Sequence, residues 1–333
     1  LPVALFLLVL AHPGHAIWWL FDGEDEWKTM DPAERDRRAR PFYEEGVEAQ
    51  QNGRLGSALG NFEKVWEEYP GSTLAPEALF RTGQIQMERH KWKQAFEAYQ
   101  RLIRFYPESP KFNEVIADQF RIATAYEEGD HVRFLWVFPS TDPRRAIAVY
   151  ESIIQNAPFS DFAPLALMRV ALIHRQEGRI PEAADALDRL INNYPQSLLA
   201  ADAYLNLADT FGSLVEGPEY DQGATREAIS YYQDFLILFP ENPAVNRGEQ
   251  GLQEMQDVYA NSKLVLGEFY YEHRDNYAAA EVFFNEAITI APNSPTAEKA
   301  REYLEVIEAI NRAYPDGNYP RRSVWEHLQF WDD

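Results

Sequence analysis

The chain has 333 residues, 46% hydrophobic and 14% aromatic, and 31 Lys and Arg against 53 Asp and Glu leave a formal net charge of −22. That balance disfavours nucleic-acid binding, which needs clustered Lys and Arg against phosphate. No cysteine occurs in the sequence, which removes disulfides, thiolate metal sites, cysteine nucleophiles and an acylated cysteine within these residues. Residues 1–11, LPVALFLLVLA, form an apolar run too short to cross a bilayer but suited to the core of a secretory signal peptide. Gly14 and Ala16 supply small residues before a cleavage point, so residues 1–16 are expected to be a signal peptide. Export together with a cysteine-free chain points to the bacterial cell envelope.

Beyond an aromatic and acidic segment at 17–39, one punctuation mark recurs. It reads Tyr69-Pro70-Gly71-Ser72, Tyr106-Pro107-Glu108-Ser109, Ala157-Pro158-Phe159-Ser160, Tyr194-Pro195-Gln196-Ser197, Phe239-Pro240-Glu241-Asn242 and Ala291-Pro292-Asn293-Ser294. Successive prolines lie 37, 51, 37, 45 and 52 residues apart. Proline cannot continue a helix, so each one ends a helix at the same place in a repeated unit. Upstream of Pro107 stand Leu102, Tyr99, Ala95 and Gly83; upstream of Pro70, at the same offsets, Val65, Phe62, Ala58 and Gly46. Upstream of Pro195 the same offsets hold Leu190, Leu187, Ala183 and Ala171. Small residues let two antiparallel helices approach, and the bulky ones fill the space between them. This pattern resembles the tetratricopeptide repeat (TPR). The expected fold is therefore all-α, a right-handed TPR superhelix of about six helix-turn-helix units with insertions and a C-terminal capping helix.

In chain order, residues 40–112 hold repeats 1 and 2, and residues 113–160 hold repeat 3 with an insertion at 129–142. Residues 161–242 hold repeats 4 and 5 with an insertion at 212–224. Residues 243–314 hold repeat 6 and the capping helix, and 315–333 form an aromatic tail. In repeat 6 a long stretch, 243–257, precedes a first helix whose Gly267 falls one residue out of register.

No catalytic constellation stands out: there is no Gly-x-Ser-x-Gly, no His-Glu-x-x-His, and no Gly-Lys-Ser/Thr after Gly53, Gly56 and Gly60. None of the seven histidines pairs with another at a spacing of four. The expectation is a non-enzymatic protein with no metal and no cofactor. First helices of successive TPR units line the concave face. Side chains left over from packing there are Tyr43, Val47, Gln50, Phe80, Gln84, Met87, Phe120 and Thr124. They predict an apolar strip edged by glutamine that receives an extended or helical peptide. Aromatic segments outside the repeats include Ile17–Phe21, Phe134-Leu135-Trp136-Val137-Phe138 and Trp325–Trp331. Phe134, Trp136 and Phe138, in the third-repeat insertion, are the candidate partner contacts among them.

Residues 49–112, AQQNGRLGSALGNFEKVWEEYPGSTLAPEALFRTGQIQMERHKWKQAFEAYQRLIRFYPESPKF, and the stretch LGEFYYEHRDNYAAA within 259–295 resemble the BamD family of the outer-membrane β-barrel assembly machinery. The resemblance implies a periplasmic scaffold at the inner face of the outer membrane. It further implies docking on a BamA-like barrel protein and other assembly subunits through the C-terminal repeats, near Tyr270 and Tyr271. The N-terminal repeats would engage unfolded outer-membrane protein segments. Members of that family are typically lipoproteins, and this sequence offers no cysteine to acylate. A periplasmic TPR adaptor for cell-wall or trans-envelope complexes, of the CpoB type, is the alternative. Such adaptors often carry a coiled coil before the repeats, and no sustained heptad precedes Tyr43.

Overall fold

The computed structural model describes residues 30–129, 141–220 and 222–316. Among them are thirteen helices and no strand: α1 (Pro32–Gln51), α2 (Leu55–Glu68), α3 (Ala75–Glu88), α4 (Trp92–Phe105), α5 (Phe112–Glu128), α6 (Pro143–Asn156), α7 (Phe162–Gln176), α8 (Ile180–Asn193), α9 (Ala200–Gly212), α10 (Gly223–Leu238), α11 (Val245–His273), α12 (Tyr277–Ile290) and α13 (Pro295–Ala313). The chain divides between Thr141 and Asp142 into an N-terminal and a C-terminal body. The signal-peptide segment, the cluster around Trp136 and the aromatic tail lie outside the described residues.

The recurring Pro-x-Ser/Asn mark is explained by one turn built six times. The residue before each proline leaves the helical region, at φ −130 to −136° and ψ 51 to 72°. Clash with the proline ring drives that change and ends the helix. The amide of the Ser or Asn then donates to the carbonyl of that same residue, as in Ser72 to Tyr69 (2.9 Å) and Ser294 to Ala291 (3.1 Å). Its own carbonyl accepts from the amide three residues on, as in Ala75 to Ser72 (3.2 Å), which starts the next helix. In five of the six turns the side-chain oxygen also accepts an early amide, for example Leu74 to Ser72 Oγ (3.2 Å) and Ala244 to Asn242 Oδ1 (2.9 Å). Proline stops one helix, and Ser or Asn caps the beginning of the next.

The tighter turn within a helix pair has its own signature. Gly53, His90, Gly178 and Asp275 all have positive φ, and each stands at the same offset from its repeat's proline. Two of the four use the residue that adopts this conformation without steric penalty; His90 and Asp275 hold it at a cost.

Between paired helices the packing is small against large. A Cβ placed on Gly46 would lie 2.7 Å from the Phe62 ring, and one on Gly83 would lie 2.2 Å from Tyr99. Gly267 stands in the same relation to Phe284, at 2.5 Å. These glycines are the condition for helix contact, not its flexible points. In the N-terminal body they let Ala39, Ala49, Ala58, Phe62, Val65 and Ile85 close one core. In the C-terminal body separate clusters form around Tyr232 and Phe235 and around Phe284.

Successive repeats are tied by the residue that punctuates them. Tyr106 Oη donates to the Pro70 carbonyl at 2.6 Å, and Tyr194 Oη to the Pro158 carbonyl at 2.7 Å. Burial alone pushes the Tyr106 phenol up to about 12, so the donor proton stays in place through the neutral range.

One expectation fails. Most of the stretch 243–257 does not precede the first helix of repeat 6; residues 245–257 are the first half of that helix, and α11 runs unbroken for 29 residues. No proline interrupts residues 244–291, so nothing imposes a stop. Its first half packs back on α10, with Gly248 against Phe235 and Gly251 against Tyr232. Its second half packs forward on α12 through Gly267.

Candidate functional site

The first-helix face of the N-terminal body is built from α1, α3 and α5, which carry all eight predicted groove residues. Gln84 is exposed, and Tyr43, Val47, Gln50, Met87, Phe120 and Thr124 are half-buried. Phe80 needs correcting. It is only 4% exposed, its ring centroid lies 6.2 Å from that of Tyr99, and the Lys111 ammonium sits 4.9 Å from it. The register of repeat positions leaves residue 80 unassigned, yet the helix turns it inward, so it is core and not groove lining.

Val47 and Tyr43 pack against the N-terminal core, Tyr43 at 5.9 Å from the Phe62 ring. What organises their outer edge is Arg81, a residue the sequence pattern passes over. Its Nε donates to Tyr43 Oη at 3.2 Å and its guanidinium to Gln50 Oε1 at 3.2 Å, while Glu77 holds it from one turn away at 3.1 Å. Tyr43 and Gln50, both on α1, are thus brought together by one cation on α3. The signal that could have found Arg81 is its spacing: it lies 31 residues after Gln50. The same spacing joins Arg175 to Asn206 (3.0 Å) and Tyr303 to Glu272 (3.3 Å). Gln50, Arg175 and Glu272 share one offset from their prolines. Each is a polar tie between neighbouring first helices.

A second polar group lies toward α5. Tyr99 Oη donates to Asp118 Oδ2 at 2.7 Å, and Arg121 donates to the other carboxylate oxygen at 3.0 Å. Met87 Sδ lies 3.6 Å from the same hydroxyl. Burial first, and then the charge of Asp118, hold the Tyr99 phenol protonated far above its ordinary value. Thr124 turns its hydroxyl back to the Phe120 carbonyl at 3.1 Å. The face is therefore a mixed surface of half-buried apolar groups stapled by Arg81 and Asp118, more polar than the strip the sequence suggests. At its N-terminal edge Asp36 accepts from Ser72 Oγ (2.7 Å), Thr73 N (2.8 Å) and Thr73 Oγ1 (2.6 Å). Burial works to raise the Asp36 pKa, but these hydrogen bonds outweigh it and hold the carboxyl below its ordinary range.

The other predicted contact residues lie in the C-terminal body. Tyr270 stacks on Phe283 (5.4 Å), and Tyr271 meets Tyr277 (5.5 Å) and Tyr303 (5.2 Å), so both side chains are half-buried in the core of their own body. Nearby side chains that stay open are Leu266 and Phe269 on α11 and Val282 on α12. Between α11 and α12 runs an open groove of about 640 Å³, lined among others by Tyr259, Val282, Asn285 and Ile290. Lys263 crosses it to Glu286 at 2.7 Å. Phe134, Trp136 and Phe138 fall outside the described residues. Among the described residues no cluster of three His, Cys, Asp or Glu is arranged to hold a metal, and no helix is long and apolar enough to cross a membrane.

The family described as outer membrane lipoprotein, YfiO, matches residues 35–176 and 137–323. The outer membrane protein assembly factor BamD of Rickettsia prowazekii is 23% identical over 171 residues, 51% of this chain and 65% of that protein. The BamD of Caulobacter vibrioides is 20% identical over 164 residues, 49% of this chain and 53% of that protein. The chain thus spans between half and two thirds of the relatives it matches. Among solved structures, the C-terminal part of a TPR repeat-containing protein from Cytophaga hutchinsonii is 15% identical, with a TM-score of 0.34, covering 83% of this chain and 90% of that one. A tetratricopeptide repeat protein from Parabacteroides merdae is 14% identical, with a TM-score of 0.33, covering 82% and 99%.

Proposed function

The chain belongs to the YfiO family of outer membrane lipoproteins, and from that premise we propose that it is a non-enzymatic scaffold of outer-membrane β-barrel protein assembly. Its place is the periplasm, at the inner face of the outer membrane. The observation that carries the reading is the first-helix face of the N-terminal body. There Tyr43, Val47 and Met87 offer partly open apolar surface, and Arg81 fixes Tyr43 and Gln50 in place. An extended chain with alternating apolar side chains, as an unfolded barrel strand has, suits such a face: its side chains meet the apolar groups and its backbone meets Gln84, Gln50 and Arg81. Because the tie holds these groups before the ligand arrives, little ordering is required on binding.

The C-terminal repeats dock a BamA-like barrel protein. Leu266, Phe269 and Val282 supply open apolar contacts, and Tyr270 and Tyr271 support the helix that carries two of them. The groove between α11 and α12 extends this surface.

The test uses the full chain, tagged at its C-terminus, with a photo-crosslinking residue at Gln84. Recovery of the barrel subunit from solubilised envelope, together with crosslinks from position 84 to unfolded outer-membrane proteins, is the expected result. Arg81→Ala should weaken capture of a barrel-strand peptide about tenfold, near 1.4 kcal/mol. Recovery of cell-wall or trans-envelope proteins without any barrel subunit would replace this reading with a general periplasmic adaptor.

A further inference from the structure

Four exposed large apolar side chains of the C-terminal body, among them its three most exposed, lie on one edge. Phe159 is 101% exposed and Leu198 98%, while Ile237 and Leu238 are 74% and 55% exposed. Phe159 sits in the turn between α6 and α7, Leu198 in the turn between α8 and α9, and Ile237 and Leu238 end α10 before the turn into α11. Each of these turns leads from the second helix of one pair to the first helix of the next. Neighbouring helices in this body pack in sequence order, so the three turns fall at the same end of the array. They are also the stiff turns of the fold. Ser160 donates to Ala157 at 3.0 Å, Ser197 to Tyr194 at 2.9 Å and Asn242 to Phe239 at 3.0 Å. The apolar groups are therefore held out on fixed backbone.

These three turns are depleted in charge. Residues 155–162, 192–199 and 237–244 contain two charged side chains, Asp161 and Glu241, in a chain that is 25% charged and carries −22 overall. The uncharged polar groups there are amides and hydroxyls, among them Asn192, Asn193 and Gln196. Single apolar tips projecting from a row of turns leave no concavity for a folded partner to fill. They suit a deformable, apolar medium with polar headgroups above it, and the absence of basic residues from these three turns selects uncharged headgroups over anionic ones. We infer that this edge is a membrane-contacting surface that inserts Phe159, Leu198 and Ile237 into the interface of a zwitterionic lipid leaflet. The family's description as an outer membrane lipoprotein puts a membrane within reach; the inference does not depend on the groove of the N-terminal body.

The experiment uses the full chain and protein-free vesicles of phosphatidylethanolamine and phosphatidylcholine. Because the sequence has no cysteine, Leu198→Cys gives a single site for an environment-sensitive fluorophore, and Gln84→Cys in the N-terminal body gives the matched control. The expected result is a blue shift and quenching by spin-labelled lipid at position 198 and neither at 84. A variant carrying Phe159→Ser, Leu198→Ser and Ile237→Ser should lose at least tenfold in vesicle partitioning while its thermal melt is unchanged, since these side chains take no part in the core. No shift at position 198, a shift confined to anionic vesicles, or equal partitioning of the triple variant would each overturn the proposal. None of those outcomes bears on capture of unfolded segments by the other body.

Discussion

Tyr99 in the N-terminal body and Tyr232 in the C-terminal body occupy the same repeat position, eight residues before the proline, yet they face opposite ways. Tyr99 presses its ring back on Gly83 of α3 and reaches its hydroxyl forward to Asp118 of α5. Tyr232 presses its ring forward on Gly251 of α11 and reaches its hydroxyl back to Asp209 of α9, at 2.7 Å. A second helix lies between two first helices, and either can supply the glycine or the carboxylate. The repeat motif thus specifies a large residue that needs one small neighbour and one acceptor. The side from which each comes is decided by local context, here the continuous α11.

The strongest way to break this symmetry is to fill the glycines. Gly83→Ala and Gly251→Ala should each lower stability by about 3 kcal/mol, because the new methyl would lie 2.2–2.3 Å from a packed ring. Thermal denaturation measures both. If Gly251→Ala proved harmless, the forward packing of Tyr232 would be the weaker contact.

Removing the hydroxyls sharpens the comparison. Tyr99→Phe strips a donor from Asp118, which is 8% exposed, and should destabilise by about 2 kcal/mol. Each carboxylate keeps an arginine, Arg121 or Arg247, but Asp209 is the more open of the two, so Tyr232→Phe should cost about half that. Denaturant titrations of the two variants should preserve that order.

A smaller effect separates backbone from side chain. Gly53 and Gly178 have φ +70° and +71° with open space where a side chain would go, so alanine there meets strain alone. Each should lose about 1 kcal/mol, one in each body, with equal shifts in chemical melts.

The smallest effect concerns acid. The lowered Asp36 pKa means that its contribution is present above the ordinary value of 3.8 and is lost as pH falls through the lower folded value. Asp36→Asn should therefore melt below the parent at neutral pH and converge with it as pH drops below that window, while Gly178→Ala, in the other body, keeps a constant offset.

The fold was legible because its defining chemistry is carried by residues that cannot be replaced silently. Proline ends each helix, Ser or Asn starts the next, and glycine or alanine faces Phe or Tyr, so the sequence exposes the register wherever these recur. His90 and Asp275 hide the same left-handed turn that Gly53 and Gly178 advertise, since both residue types adopt a positive φ far less often than glycine does. The candidate site was legible only in outline. Tyr43 and Gln50 could be placed on one helix face by spacing, but Arg81 joins them only once the neighbouring helix is in position. The burial of Phe80 depends on a ring from α4 and an ammonium from the residue just before α5, which no local pattern contains.

The unbroken α11 also changes how the chain comes apart. Arrays of this kind lose structure one repeat at a time, because each touches only its neighbours and the turns between repeats are natural breakpoints. Where one helix serves both the pair before it and the pair after it, that breakpoint is gone. Fraying that begins at α13 has no intermediate place to stop before α10, so hydrogen exchange across residues 223–290 should report a single opening event.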